Sequence, residues 1–122
     1  MVQPALQRER RRAVQVLELG QLTVRSEREG DMHTIALAGE LDVAGVDRVQ
    51  HELERVGASD ALSIVVDLSG LTFMDSTGVR LLIQAQARSR ADSDRLMLLR
   101  GPADVQRVFA LCGVDGRLPF AA

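Results

Sequence analysis

The run Leu62-Ser63-Ile64-Val65-Val66-Asp67-Leu68, followed shortly by Asp75-Ser76-Thr77-Gly78, decides how this chain folds. The first stretch is nearly continuous aliphatic with β-branched residues at its centre, as a strand covered on both faces requires. The second opens a helix, because Val79, Leu82, Ile83 and Ala87 recur at helical spacing through about Arg90. A small hydroxyl therefore falls where a strand pattern gives way to a helix pattern. Backbone N–H groups lack intrahelical partners there, and the helix dipole favours negative charge. Two readings of Ser76 are open on these grounds: a helix cap, or a hydroxyl to which a phosphate comes and goes. The intervening Ser69-Gly70-Leu71-Thr72-Phe73-Met74 reads as a connecting loop. Its Phe73 and Met74 are either anchors in the core or a shallow apolar contact beside Ser76.

Working outward, Leu22 and Val24 alternate with Thr23 and Arg25, and Ile35, Leu37 and Leu41 alternate after the turn chemistry of Glu29-Gly30-Asp31. That pattern predicts an antiparallel hairpin. Gly39-Glu40-Leu41-Asp42 ends its second strand. A helix follows, with Val46, Val49, Leu53 and Val56 on one face, Asp42 as its cap and Gly57 closing it. Downstream, Leu96 to Leu99 is a second buried strand, and Gly101-Pro102 starts a third helix. The face of that helix is Val105, Val108, Phe109 and Cys112, and Gly113 stops it. Leu118 to Phe120 is a short terminal strand that Pro119 confines to an edge. The order ββαβαβα predicts a single α/β domain, a mixed β-sheet with helices packed on it.

Residues 1–18 read differently. Pro4 and an arginine cluster (Arg8, Arg10, Arg11 and Arg12 around Glu9) suggest a flexible basic N-terminal tail, or alternatively a contact arm for an acidic surface. Val14, Val16, Leu17 and Leu19 are apolar enough to extend the first strand.

Composition removes several function classes. The 122 residues are 46% hydrophobic and 26% charged, ordinary for a globular domain with one core. Only 2% are aromatic, so base- or sugar-stacking platforms are excluded. A net charge of −2 gives no basic field for nucleic acid. One cysteine, Cys112, cannot form an internal disulfide, and no apolar run approaches the roughly 20 residues of a membrane span. With no secretory signal, a cytoplasmic location without membrane attachment is the expectation.

Chemistry is sparse. His33 and His51 are the only histidines, and without clustered Cys, His and acidic ligands no metal site is expected. His33, in phase with Ile35 and Leu37, reads as a satisfied histidine over the edge of the core. Ser76 as a catalytic nucleophile would need a base and an orienting group, and no nucleophile elbow, phosphate-binding loop or dinucleotide fingerprint is present. The chain reads as a non-enzyme that needs no cofactor. Cys112, on an apolar stripe with no cation beside it, reads as core filler.

The segment from Asp67 through Asp75-Ser76-Thr77-Gly78 resembles the signature of the STAS domain of bacterial anti-sigma factor antagonists. Gly39-Glu40-Leu41-Asp42 resembles that family's upstream motif, and the segment from Pro102 to Gly113 is similar to its final helix. The resemblance spans residues 19–122. It implies that Ser76 is phosphorylated by an anti-sigma factor that is itself a serine kinase. The unmodified protein would bind the kinase and so release a sigma factor, and a PP2C-type phosphatase would reset the modified form. The contact surface it implies is Glu40, Leu41 and Asp42 with Asp75, Ser76, Thr77, Gly78 and Val79. Thr77 offers a second hydroxyl, and Arg80 puts a bulky cation on the first turn after Gly78. Two other uses stay open: a STAS scaffold subunit of a signalling complex or an accessory subunit of a membrane transporter, and a small hydrolase using Ser76.

Overall fold

The computed structural model describes residues 12–121. Ile64, Val66 and Leu68 alternate inward on an inner strand of a five-stranded sheet, all but sealed from solvent. The strands are β1 (Arg12–Leu19), β2 (Leu22–Glu29), β3 (Met32–Leu41), β4 (Ser63–Met74) and β5 (Leu96–Leu99). They lie side by side in sequence order. The first three form an antiparallel meander whose tight turns are made by Gly20 and Gly30, both at positive φ. From β3 onward the pairing is parallel, so a crossover is needed at each step. Helix α1 (Val43–Gly57) makes the first and α2 (Ser76–Ala91) the second; α3 (Ala103–Leu111) follows β5. Successive crossovers in one direction lie on one face of the sheet. There α1 packs against α2 and β3, and α3 against β4 and α2. The core forms between: Leu22, Val24, Ile35, Leu37, Val66, Leu68 and Leu98 from the sheet meet Val49, Val56, Leu82, Val105 and Phe109 from the helices. On the other face Arg25, Met32 and Met97 stay exposed.

Several details differ from the sequence reading. Residues 12–18 of the expected flexible tail belong to a strand, Arg12–Leu19, paired residue for residue with β2; residues 1–11 lie outside the described residues. Leu17 and Leu19 stand opposite Val24 and Leu22, and Leu19 packs against the core, which gives this edge its hold. Second, residues 69–74 are not a loop. They continue β4, pairing Gly70, Leu71, Phe73 and Met74 with Ala38, Gly39, Glu40 and Leu41 across two register shifts. Such irregularities bend a strand and re-aim its end.

Third, the inward residues of α2 are Gly78, Val79, Leu81, Leu82 and Ala85, while Ala87 is exposed. Fourth, Cys112 is exposed, because α3 ends at Leu111 and the stripe runs off the core with it. The expected terminal strand over Leu118 to Phe120 is reduced to an isolated parallel bridge between Phe120 and Leu98, with the Phe120 ring edge-on to Phe109 at 5.1 Å. Gly57 is the last helical residue of α1, and Ala58 is the cap. Arg95 reaches back to that end and donates to the carbonyls of Gly57, Ser59 and Ala61 at 2.5, 3.1 and 2.6 Å.

Candidate functional site

Because β3 and β4 are parallel neighbours, the helices that follow them start at the same end of the sheet. Glu40 stands opposite Phe73, and Leu41 opposite Met74. Each strand then gives way to an aspartate in extended conformation that caps a helix: Asp42 for α1, Asp75 for α2. Asp42 Oδ1 accepts from the Ala44 N–H at 3.0 Å. Asp75 Oδ1 accepts from the Thr77 N–H at 3.0 Å, and the Asp75 N–H donates to the Leu41 carbonyl at 3.3 Å. The two caps are thus tied together through the last residue of β3. The glycine that opens the upstream motif has a steric reason. Gly39 has φ of +93°, and a Cβ there would sit 2.0 Å from the Gln21 carbonyl oxygen. That close approach also lets Glu40 N–H donate to the same oxygen at 2.9 Å.

The cap assignment separates the two hydroxyls. Ser76 is the first helical residue, not the cap; it is exposed and its Oγ has no hydrogen bond among the described residues. Thr77 is half-buried, and its Oγ1 donates to Asp75 Oδ1. A reagent approaching from solvent meets a free hydroxyl on Ser76 and an engaged one on Thr77.

Of the residues expected to form one contact surface, Glu40, Asp42, Asp75, Ser76 and Thr77 come together at this end with exposed or partly exposed side chains. Leu41, Gly78 and Val79 do not belong to it. Leu41 is 0% and Val79 3% exposed, both in the core. Gly78 is buried as well: a Cβ there would come within 2.6 Å of Met74 Cγ and 3.1 Å of Leu41 Cδ2. Its glycine makes room for the core rather than for a partner's backbone. These three residues shape the surface from beneath.

Two apolar side chains are exposed at the same end of the sheet. Phe73 is 47% and Val43 75% exposed, while Met74 is buried at 2%. The pair expected to share a role is split by strand alternation, Met74 into the core and Phe73 outward. Val43 was missed; the signal for it was its place directly after the capping Asp42, out of phase with the buried stripe of Val49, Leu53 and Val56. The rim is acidic through Glu40, Asp42 and Asp75, and Arg80 is an exposed cation one turn on from Ser76 in α2.

The other titratable groups lie elsewhere. His33 is buried near the start of β3, and the eight residues from there to Leu41 span roughly 26 Å. It is no base for Ser76. Its Nε2 is hydrogen-bonded to Ser26 Oγ at 2.6 Å, and burial, then the positive field of Arg55, holds the imidazole below its ordinary value. Burial pushes the neighbouring Glu52 carboxyl up, but hydrogen bonds from Arg55, at 2.9 and 2.6 Å, and from Ser26 outweigh it and leave Glu52 below its ordinary value. His51 is exposed on α1. Among the described residues no group of three or more His, Cys, Asp or Glu side chains is placed to hold a metal ion, and no helix is long and apolar enough to cross a membrane. A cavity of about 570 Å³ lies between the C-terminal halves of α1 and α2, lined by Leu53, Ile64, Ala85 and Leu96. It is at the opposite end of the sheet from Ser76.

Comparison with known proteins agrees with this architecture. Residues 24–119 match the family model described as Mlab, STAS domain. An anti-sigma-B factor antagonist of Listeria monocytogenes is 28% identical over 89 residues, 73% of this chain and 78% of the relative. An anti-sigma F factor antagonist of Lysinibacillus sphaericus is 31% identical over 81 residues, 66% of this chain and 69% of the relative. The anti-sigma factor antagonist SpoIIAA, solved in its unphosphorylated form, superposes with a TM-score of 0.64 at 24% identity, covering 90% of this chain and 89% of that one. The Bacillus SpoIIAA in its phosphorylated form gives 0.58 at 23% identity, covering 90% and 92%. With five strands in a mixed sheet, three helices on one face and paired caps at one end, the chain belongs to the STAS domain family, with anti-sigma factor antagonists among its relatives.

Proposed function

We propose that this protein is an anti-sigma factor antagonist switched by phosphorylation of Ser76. The observation that carries the reading is the free, exposed Ser76 hydroxyl at the start of α2 beside an engaged Thr77, in a chain whose relatives are named as such antagonists. In the unmodified state the surface of Glu40, Asp42, Val43, Phe73, Asp75 and Ser76 binds an anti-sigma factor serine kinase, and the sigma factor that kinase held is released to transcribe. The kinase then transfers the γ-phosphoryl group of ATP. An O–P bond forms at Ser76 Oγ, the bond to the β-phosphate oxygen breaks, ADP leaves, and the hydroxyl proton passes to a base on the kinase. The product carries about −1.5 to −2 additional charges at neutral pH. At an interface already rimmed by Asp42 and Asp75, that charge is repelled and must be desolvated. A penalty of about 3 kcal/mol lowers affinity about a hundredfold. A PP2C-type phosphatase in the cytoplasm hydrolyses the phosphoserine and resets the cycle.

The protein acts here as a binding module and phosphoryl acceptor, with no catalysis of its own. Incubation with the cognate kinase and ATP, followed by intact-mass measurement and peptide mapping, tests the reading. One phosphate per chain on Ser76 is expected; phosphate on another residue, or none, refutes it.

A further inference from the structure

Helix starts hold phosphate through free backbone N–H groups, but those of α2 are largely committed. The Thr77 N–H donates to Asp75 Oδ1 and the Gly78 N–H to the Asp75 carbonyl at 3.1 Å. The carboxylate that occupies this end is also the nearest negative charge to Ser76. A phosphate there therefore needs a cation from elsewhere, and α2 supplies one four residues on. Side chains at i and i+4 share a helix face, and a long side chain leans toward the helix N-terminus, over the turn that precedes it. For Arg80 the preceding turn carries Ser76 and Thr77. Thr77 is turned to Asp75, so the group left open to the guanidinium is Ser76. Ser76 and Arg80 are both exposed, and Arg80 makes no hydrogen bond or ion pair among the described residues. Arg25, Arg28, Arg55, Arg88 and Arg95, by contrast, are each paired with a carboxylate.

From this we propose that Arg80 is the internal counter-ion of phosphoserine 76. The inference rests on the phosphorylation reading above. The planar guanidinium donates two parallel N–H bonds to two phosphate oxygens, a geometry that a lysine ammonium does not reproduce. Arg80 is also exposed to a partner before modification. Phosphorylation thus changes the contact surface twice: it adds a dianion and draws the Arg80 guanidinium back onto it. Arg80 is in this sense a specificity residue of the switch, setting how strongly one phosphate alters the charge that a partner meets.

The test installs phosphoserine at position 76 during translation by codon suppression, in the full chain, with Arg80 intact, as Arg80→Gln and as Arg80→Lys. The second ionisation of the phosphate is followed by phosphorus NMR. Glu40, Asp42 and Asp75 face the group in all three proteins and raise its value alike. A guanidinium held on the phosphate lowers it by about 0.5 pH unit relative to Arg80→Gln, with Arg80→Lys between. The unmodified Arg80→Gln protein melts as the parent does, since the exposed side chain it loses makes no hydrogen bond or ion pair among the described residues. Superimposable titration curves for the parent and Arg80→Gln overturn the proposal. Because the phosphate is placed without a kinase, this result is independent of whether a kinase chooses Ser76, which the mapping experiment reads separately.

Discussion

Ser76→Ala separates the acceptor role of this residue from any structural one. If Ser76 capped α2, its loss would cost about 1 kcal/mol. The cap is Asp75, and Ser76 is an exposed first-turn residue with no bond to lose. Alanine is also the better helix former, so stability should stay within about 0.5 kcal/mol of the parent. The phosphate should not move to the neighbouring hydroxyl. To accept it, Thr77 must break its bond to the Asp75 carboxylate, and hydrogen bonds to charged groups are worth about 1.5–3 kcal/mol. At 1.4 kcal/mol per factor of ten, Thr77 is handicapped by about 10- to 100-fold. Urea denaturation gives the first quantity, and intact-mass time courses with kinase and ATP give the second. A loss of more than 1 kcal/mol, or phosphorylation of the variant at the parent rate, would refute the assignment of cap and acceptor.

Three further outcomes follow from particular contacts. Phe73→Ala and Val43→Ala should each weaken binding to the kinase by about 1 kcal/mol or more, measured calorimetrically, with a smaller change in melting temperature than a core truncation because both side chains lie outside the core. Asp42→Asn should keep the cap to Ala44, since Asn caps as well as Asp; a loss of affinity at unchanged stability would assign the charge to the partner surface, and equal affinity would remove it. His33 is held below the unfolded value of 6.5, so the unfolded state binds its proton more readily. The stability contributed by the neutral ring is complete above pH 6.5 and is lost as pH falls from there through the folded value. The denaturation midpoint should drop across that window, and less in His33→Gln.

The helices, the covered strand and the Asp42 cap were legible because they rest on local rules, whereas the sequence offered Ser76, not Asp75, as the cap of α2. Asp42 and Asp75 each precede an apolar helical stripe, and Ile64, Val66 and Leu68 can only be a covered strand. What escaped depends on neighbours that are distant in sequence. Residues 69–74 look like a loop because Ser69, Gly70 and Thr72 are polar or small. Gly70 is there because a Cβ would sit 2.9 Å from the Leu37 carbonyl oxygen. Exposed β1 carries little burial signature, with Val14 at 42% and Val16 at 51%, so only its pairing identifies it. At the site, the motif marks Leu41, Gly78 and Val79 as readily as it marks Ser76, since a motif records packing and contact alike. Only burial separates them. The same alternation sends Phe73 outward and Met74 inward, which composition cannot decide.

The central claim is that phosphate on Ser76 abolishes partner binding through local charge. Calorimetric titration of the cognate anti-sigma factor kinase with unmodified protein and with protein phosphorylated only at Ser76 tests it most directly. The account predicts an affinity at least about a hundredfold weaker for the phosphorylated form, with amide exchange of β4 and β5 unchanged between the two. Equal affinities, or a loss of binding accompanied by lost protection across those strands, would contradict it.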